Sequence, residues 1–275
     1  MLALTLTFVA CGGSTNDKKD DSSSKDQTSS KEESKNSSTS SDTQSSTPSS
    51  VTSKPQKDNS LWTRKMVALT FDDSPFGDTG ALLDLLKEKN VKATFFMIGE
   101  HMEQYPEIVE RAISEGHDVG YHSYSHNINN TTPQNIVSAD FNKAQSIIDG
   151  INPDYQITLY RGPGGSASAA MKEEAVFRNW RLIGWTNYGF KDSTKEVISP
   201  EDRMKGVYET PSGPNLRNGE IVLIHPYENC PDIITGIGLF IDKLRADGYE
   251  PVQMSELLKR RNGGKAGTAY NLPIY

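Results

Sequence analysis

Residues 67–75 read VALTFDDSP, a run of apolar and β-branched side chains that ends on two adjacent carboxylates, Asp72 and Asp73. Such a run predicts a buried β-strand. Two neighbouring like charges repel, and each loses hydration if the strand end is buried. Asp-Asp-Ser-Pro is also a good surface-turn and helix-cap sequence, so the stretch alone is compatible with a plain turn. The rest of the chain decides between a turn and a site.

From Leu61 onward, short β-rich runs alternate with amphipathic helical stretches. MVALTFD, VKATFFMI, HDVGYH, ITLYR, RLIGWT, EIVLIH and YEPVQ read as strands. GALLDLLKEKN, PEIVERAISEG, TPQNIVSADFNKAQSIIDG, SAAMKEEAVFRNW, DIITGIGLFIDKLRADG and MSELLKRR read as helices, with Thr132-Pro133 as a cap and first-turn pair. Alternation with continuously apolar strands implies a parallel sheet covered on both faces. About seven such units in roughly 200 residues favour an α/β fold of the distorted (β/α) barrel kind over an open doubly wound sheet. No glycine-rich phosphate loop follows the first strand, which argues against nucleotide binding.

The barrel domain is expected over residues 61–262, with a tail at 263–275. Before it, residues 14–60 are Ser, Thr, Lys, Asp and Glu with almost no apolar side chains, the composition of a disordered stalk. Residues 1–13, MLALTLTFVACGG, are an apolar run, small residues and a cysteine followed by glycines. They resemble the end of a bacterial lipoprotein signal, which implies cleavage before Cys11 and a lipid on its sulfur. The expectation is a monomer on the outer face of a bacterial membrane, held only by that anchor. No apolar stretch is long enough to span a bilayer. With 29 basic against 36 acidic side chains, and no basic run interleaved with aromatics, nucleic acid is not an expected partner. Two cysteines, Cys11 and Cys230, make no disulfide framework.

The chemically suggestive residues gather where strands finish. Asp72 and Asp73 end the first; His122 and His126 lie four apart in YHSYSH after the third; Arg161 ends ITLYR and opens RGPGGS; His225 ends EIVLIH. In (β/α) barrels the C-terminal rim of the strands is where sites are built, so these side chains should converge on a metal-dependent site.

TFDD, HSYSH, RGPGG and LIH resemble four of the five motifs of the polysaccharide deacetylases (carbohydrate esterase family 4, the NodB homology domain). The resemblance implies a distorted (β/α) barrel, a divalent metal and hydrolysis of acetyl groups on polysaccharides. It matches Asp73, His122 and His126 to the metal ligands, a set that suits Zn2+, with Co2+ or Mn2+ as alternatives. It matches Asp72 to the catalytic base, Arg161 to the arginine that orients that base, and His225 to the general acid. An imidazole suits that last role because its ordinary pKa lies near working pH. Leu223 falls where relatives line the acetyl-methyl pocket. Gly164 stands where most relatives have a tyrosine, leaving a backbone N–H for the oxyanion without the aromatic wall.

The fourth motif departs from the pattern. Trp185 is present in GWTNYGFKDS, but Asn187 and Tyr188 occupy the region where relatives carry the first of two aspartates. Asp192 offers a carboxylate nearby without matching the motif. Trp185, Tyr188 and Tyr227 suit rim packing and sugar stacking equally. The leading expectation is a deacetylase of N-acetylglucosamine units in peptidoglycan. The alternatives are an acetylxylan or other polysaccharide O-acetyl esterase, whose better leaving group needs less help from an acid, and a carbohydrate-binding surface protein without turnover.

Overall fold

The structure, a computed structural model, describes residues 64–194, 196–210, 213–214 and 216–261. The leader, the stalk and the tail from 263 onward lie outside these residues. Strand β1 (Lys65–Asp72) is buried from Met66 to its end. Around it run β2 (Thr94–Met97), β3 (Asp118–Tyr121), β4 (Leu159–Tyr160), β5 (Arg181–Leu182), β8 (Glu220–Ile224) and β9 (Tyr249–Val252). All seven pair in parallel, in the order β5-β4-β3-β2-β1-β8, with β9 beside the first half of β1.

The sheet curls until its ends meet. Beyond β5 the Thr186 and Asn187 N–H groups donate to the Ile221 carbonyl at 3.0 and 3.1 Å, and Leu223 N–H donates to Asn187 at 2.9 Å. Asn187 thereby bridges to Val222 of β8 and closes the ring. This is the distorted barrel expected from the β/α alternation.

Parity along β1 sorts its side chains into two cores. Val67, Leu69 and Phe71 join the large cluster under the helices, while Met66 and Ala68 belong to a smaller one with Phe96, Leu159, Ile183 and Ile221. Thr70 and Asp72 share the parity of the smaller, interior cluster. Helix α9 (Met254–Arg261) supplies Met254, Leu257 and Leu258 to the same cluster. An acid at position 72 thus belongs to the barrel interior.

The other helices are α1 (Thr79–Glu88), α2 (Gly99–Gln104), α3 (Pro106–Ser114), α4 (Gln134–Ile151), α5 (Ala169–Phe177), α6 (Pro200–Arg203), α7 (Lys205–Tyr208) and α8 (Pro231–Ala246). Several elements differ from the sequence reading. The runs ITLYR and RLIGWT pair over only two residues each, and the second run continues to Asn187, which bridges to β8 instead. Helix α4 is capped at Pro133 and starts at Gln134, since Thr132 Oγ1 instead accepts the Asn129 N–H. Helices α2, α6 and α7 and the hairpin β6 (Glu209–Thr210) and β7 (Gly213–Pro214) are too short to show a periodicity in sequence.

His117 carries a stability prediction. Its Nδ1 accepts the Ala93 N–H at 3.1 Å, its Nε2 is buried without a partner, and its ring meets Phe95 edge-on. Burial, helped by the charge of Lys92, pushes the imidazole down to about 4. The folded state therefore holds His117 neutral while the unfolded chain protonates it near its ordinary value. Stability should be full above about pH 6.5 and decline toward pH 4, by up to about 3 kcal/mol for this group. Urea unfolding of the wild type and His117→Gln at neutral and mildly acid pH checks this. The variant should lose less on acidification, and equal losses would refute the assignment.

Candidate active site

Asp72 is 2% exposed, and Arg161 is completely buried beside it. Arg161 Nη1 donates to Asp72 Oδ1 at 2.6 Å and to Thr70 Oγ1 at 2.9 Å. Its Nε and Nη2 donate to the carbonyls of Ile183 and Gly184, and its guanidinium lies 4.1 Å over the Phe96 ring. A buried carboxylate without a partner would be costly, and this cation offsets both its desolvation and the repulsion from Asp73. The pair is tied through Thr70, whose hydroxyl donates to the Val222 carbonyl.

Asp73 follows in the left-handed region, with φ of 68°, so the strand alternation breaks and its side chain also turns to the rim. Its Oδ1 lies 3.5 Å from both His122 Nε2 and His126 Nε2. His122 Nδ1–H donates to the Arg161 carbonyl at 2.7 Å, which leaves Nε2 as the ring nitrogen facing the two aspartates. Burial pushes the His122 imidazole down, against the pull of Asp72 and Asp73, which favours the neutral form a metal requires. One ligand atom each from Asp73, His122 and His126 fall within 4.8 Å of one another.

These residues fit a divalent ion. Asp73 Oδ1 is buried with no hydrogen-bond partner, aimed at the same point as two imidazole nitrogens. One carboxylate and two imidazoles leave coordination positions open, as catalytic sites do. Helix α2, not anticipated from sequence, secures both loops. Its Gly99 and Glu100 N–H groups donate to the carbonyls of Ser123 and Tyr124, and His101 Nδ1–H donates to the Asp73 carbonyl at 2.9 Å. A Cβ on Gly99 would come within 2.8 Å of the Tyr124 ring, so a glycine is needed at this approach. From α4, Asp140 accepts the Tyr124 N–H at 2.9 Å.

Across the rim, Leu223, His225, Trp185, Tyr188 and Asp192 line a cavity of about 300 Å³. Asp192 Oδ2 accepts both the backbone N–H and the Nδ1–H of His225, each at 2.8 Å. The carboxylate missing from the fourth motif is therefore present in space. Burial alone would lower the His225 imidazole, but the hydrogen bond and charge of Asp192, with Asp72 and Asp73, hold it above its ordinary value. Tyr227 stacks on the His225 ring at 5.4 Å and 9°. Trp185 packs against the third-motif loop, since a Cβ on Gly165 would meet its ring at 2.7 Å; Gly164 stands exposed with φ of 57°. Tyr188 is 77% exposed at the cavity edge. Cys11 lies outside the described residues. Among those residues, no helix is long and apolar enough to cross a membrane.

The family model for polysaccharide deacetylases matches residues 62–181. The chain is 31% identical over 200 residues to the peptidoglycan-N-acetylglucosamine deacetylase PgdA of Listeria monocytogenes, covering 71% of this chain and 39% of that protein. It is 32% identical over 209 residues to the peptidoglycan-N-acetylmuramic acid deacetylase PdaC of Bacillus subtilis, covering 75% of this chain and 42% of PdaC. It thus spans less than half the length of either relative. The solved structure of PdaC matches with a TM-score of 0.62 and 28% identity, over 72% of this chain and 92% of that one. A carbohydrate esterase family 4 pseudoenzyme from Bacillus anthracis matches with a TM-score of 0.63 and 25% identity, over 72% of this chain and 66% of that one.

Proposed function

Because the chain belongs to the polysaccharide deacetylase family, we propose that it is a metal-dependent hydrolase removing N-acetyl groups from N-acetylglucosamine units of peptidoglycan. The observation that carries this reading is the buried Asp72–Arg161 pair set directly beside the Asp73, His122 and His126 cluster. A protein that only bound sugars would need no carboxylate buried against a cation at that place.

Asp73, His122 and His126 would hold the ion, with Zn2+ favoured by the donor set over Co2+ or Mn2+. When bound, such an ion supplies Lewis acidity, acidifying water and polarising a carbonyl. Arg161 occupies Oδ1 of Asp72, so Oδ2, which lies 3.7 Å from His122 Nε2, takes the proton of the attacking water. The water oxygen bonds to the acetyl carbon, and a backbone N–H at Gly164 helps to stabilise the oxyanion. Leu223 provides an apolar floor for the acetyl methyl. Asp192 fixes the proton on His225 Nδ1 and favours the imidazolium. Nε2 then protonates the departing nitrogen as the C–N bond breaks, giving acetate and a free amine.

The support that Asp192 gives His225 weighs against the O-acetyl esterase reading, which drew on an acid weakened by the altered fourth motif. Likeness to a pseudoenzyme keeps the binding-only reading in play, since the fold is common to both. We further propose that a lipid on Cys11 and the stalk at residues 14–60 tether a monomer beside the wall of its own cell.

Acetate release tests the proposal. Purified protein should release acetate from peptidoglycan and chitooligosaccharides, stop when a chelator removes the metal, and recover when Zn2+ is returned. Release from acetylated xylan alone would favour the esterase. Metal-loaded protein that releases none from any of the three would leave only binding.

A further inference from the structure

Asp192 reaches His225 from a loop, so whatever holds residues 186–193 in place also sets the hydrogen bond to the acid. Asn187 anchors the start of this loop: its backbone closes the barrel and its Nδ2 donates to the Val207 carbonyl at 3.1 Å. At Gly189 the loop crosses α7 backbone to backbone. A Cβ there would lie 2.1 Å from the Gly206 carbonyl oxygen, and one on Gly206 would lie 2.2 Å from that of Gly189.

The far end is held by Arg203, at the C-terminus of α6. The Lys191 N–H donates to the Arg203 carbonyl at 2.7 Å. Arg203 Nη1 donates to the Lys191 carbonyl at 2.8 Å and to the Ser193 carbonyl at 3.4 Å, the two that bracket Asp192. The side chain is 4% exposed and forms no ion pair among the described residues. Helix α8 leaves room for it: a Cβ on Gly236 would come 3.1 Å from Arg203 Cδ. Burying a guanidinium is costly, and packing alone would be served by an apolar side chain. Both bonds come from Nη1, whose two hydrogens reach a pair of carbonyls that an aliphatic side chain could not fix, while Nε is buried with no hydrogen-bond partner among the described residues.

We propose that Arg203 is a positioning residue for the deacetylation: by clamping the carbonyls on either side of Asp192, it aims that carboxylate at His225 Nδ1. The proposal rests on the functional reading above for its kinetic consequence, and on geometry alone for its structural one. Neither the carbohydrate-esterase motifs nor the local sequence marks Arg203, because its partners are main-chain atoms.

The test compares wild type, Arg203→Lys, Asp192→Asn and the double variant, all metal-loaded. Arg203→Lys keeps the charge but its ammonium ends short of the Nη1 position, so it cannot span both carbonyls. It should lower kcat on N-acetylchitooligosaccharide about tenfold, with KM and metal content unchanged. Turnover of an aryl acetate should be spared, because a good leaving group needs no acid. In the Asp192→Asn background the same replacement should cost less than about twofold, because the two act as one unit. The proton NMR signal of the His225 Nδ1–H bonded to Asp192, far downfield in the wild type, should broaden or vanish in Arg203→Lys. That signal reports the geometry even if no substrate is turned over, so failure of the functional reading is separable from failure of the clamp.

Equal losses on amide and ester, full additivity in the double variant, or an unchanged NMR signal would overturn the proposal. Arg203→Gln serves as a second replacement. If neither variant folds, as judged by thermal melting, Arg203 belongs to the core and the proposal falls.

Discussion

Asp72→Asn is expected to keep its metal and lose most of its turnover, by roughly 10²- to 10⁴-fold in acetate release, the range typical of losing a general base. Asp72 has the interior parity of β1, and its Oδ1 is taken by Arg161 at 2.6 Å, so only Oδ2 is left for chemistry. An amide of the same shape cannot accept the water's proton. It also leaves Arg161 buried without its counter-charge, so the variant should melt at a lower temperature as well. Raising the pH should recover part of the rate, because hydroxide then forms without a base. Metal content by elemental analysis and acetate release across pH together check this. If Asp72→Asn loses the metal and retains turnover when reloaded, Asp72 is a ligand and the roles of the pair are reversed.

Asp73→Asn and His122→Ala should fail in the opposite manner, through the metal. Asp73 Oδ1 stands 3.5 Å from both imidazole Nε2 atoms and is buried with no hydrogen bond of its own, which leaves it available as a ligand. A neutral amide is a poorer ligand for a dication, and alanine at position 122 would remove a proposed ligand outright. The loss of affinity should exceed the roughly 10- to 100-fold seen when a group that merely orients a ligand is removed. Excess Zn2+ should return part of the activity of Asp73→Asn and little of His122→Ala. Direct titration with Zn2+ measures the affinity, and a doubly substituted protein with undiminished metal content would sink the ligand assignment. Alkaline pH should help these variants less than Asp72→Asn, because they lack the ion and not the base.

The sequence by itself determined a good deal of this molecule. The β/α order, the parallel sheet, and the placement of Asp72, Asp73, His122, His126, Arg161 and His225 at strand ends follow from apolar runs and their punctuation. Those are properties of residues close together in the chain, where periodicity and capping operate. What the sequence left open is set by contacts between distant segments. The interior position of Asp72 is visible only once Met66 and Ala68 are found facing Phe96 and Ile221 across a closed barrel. The closure of the sheet depends on Asn187 meeting Val222, and the hold on Asp73 depends on His101 from a helix of six residues. Asp192 is the clearest instance. No spacing rule links it to His225, 33 residues away, because the loop that carries it is shaped by a glycine-on-glycine crossing and by Arg203 bonding to main-chain carbonyls. A motif records which side chains the chemistry needs, but a backbone carbonyl is offered by every residue type. The shape of a segment held through such atoms is therefore decided by tertiary packing.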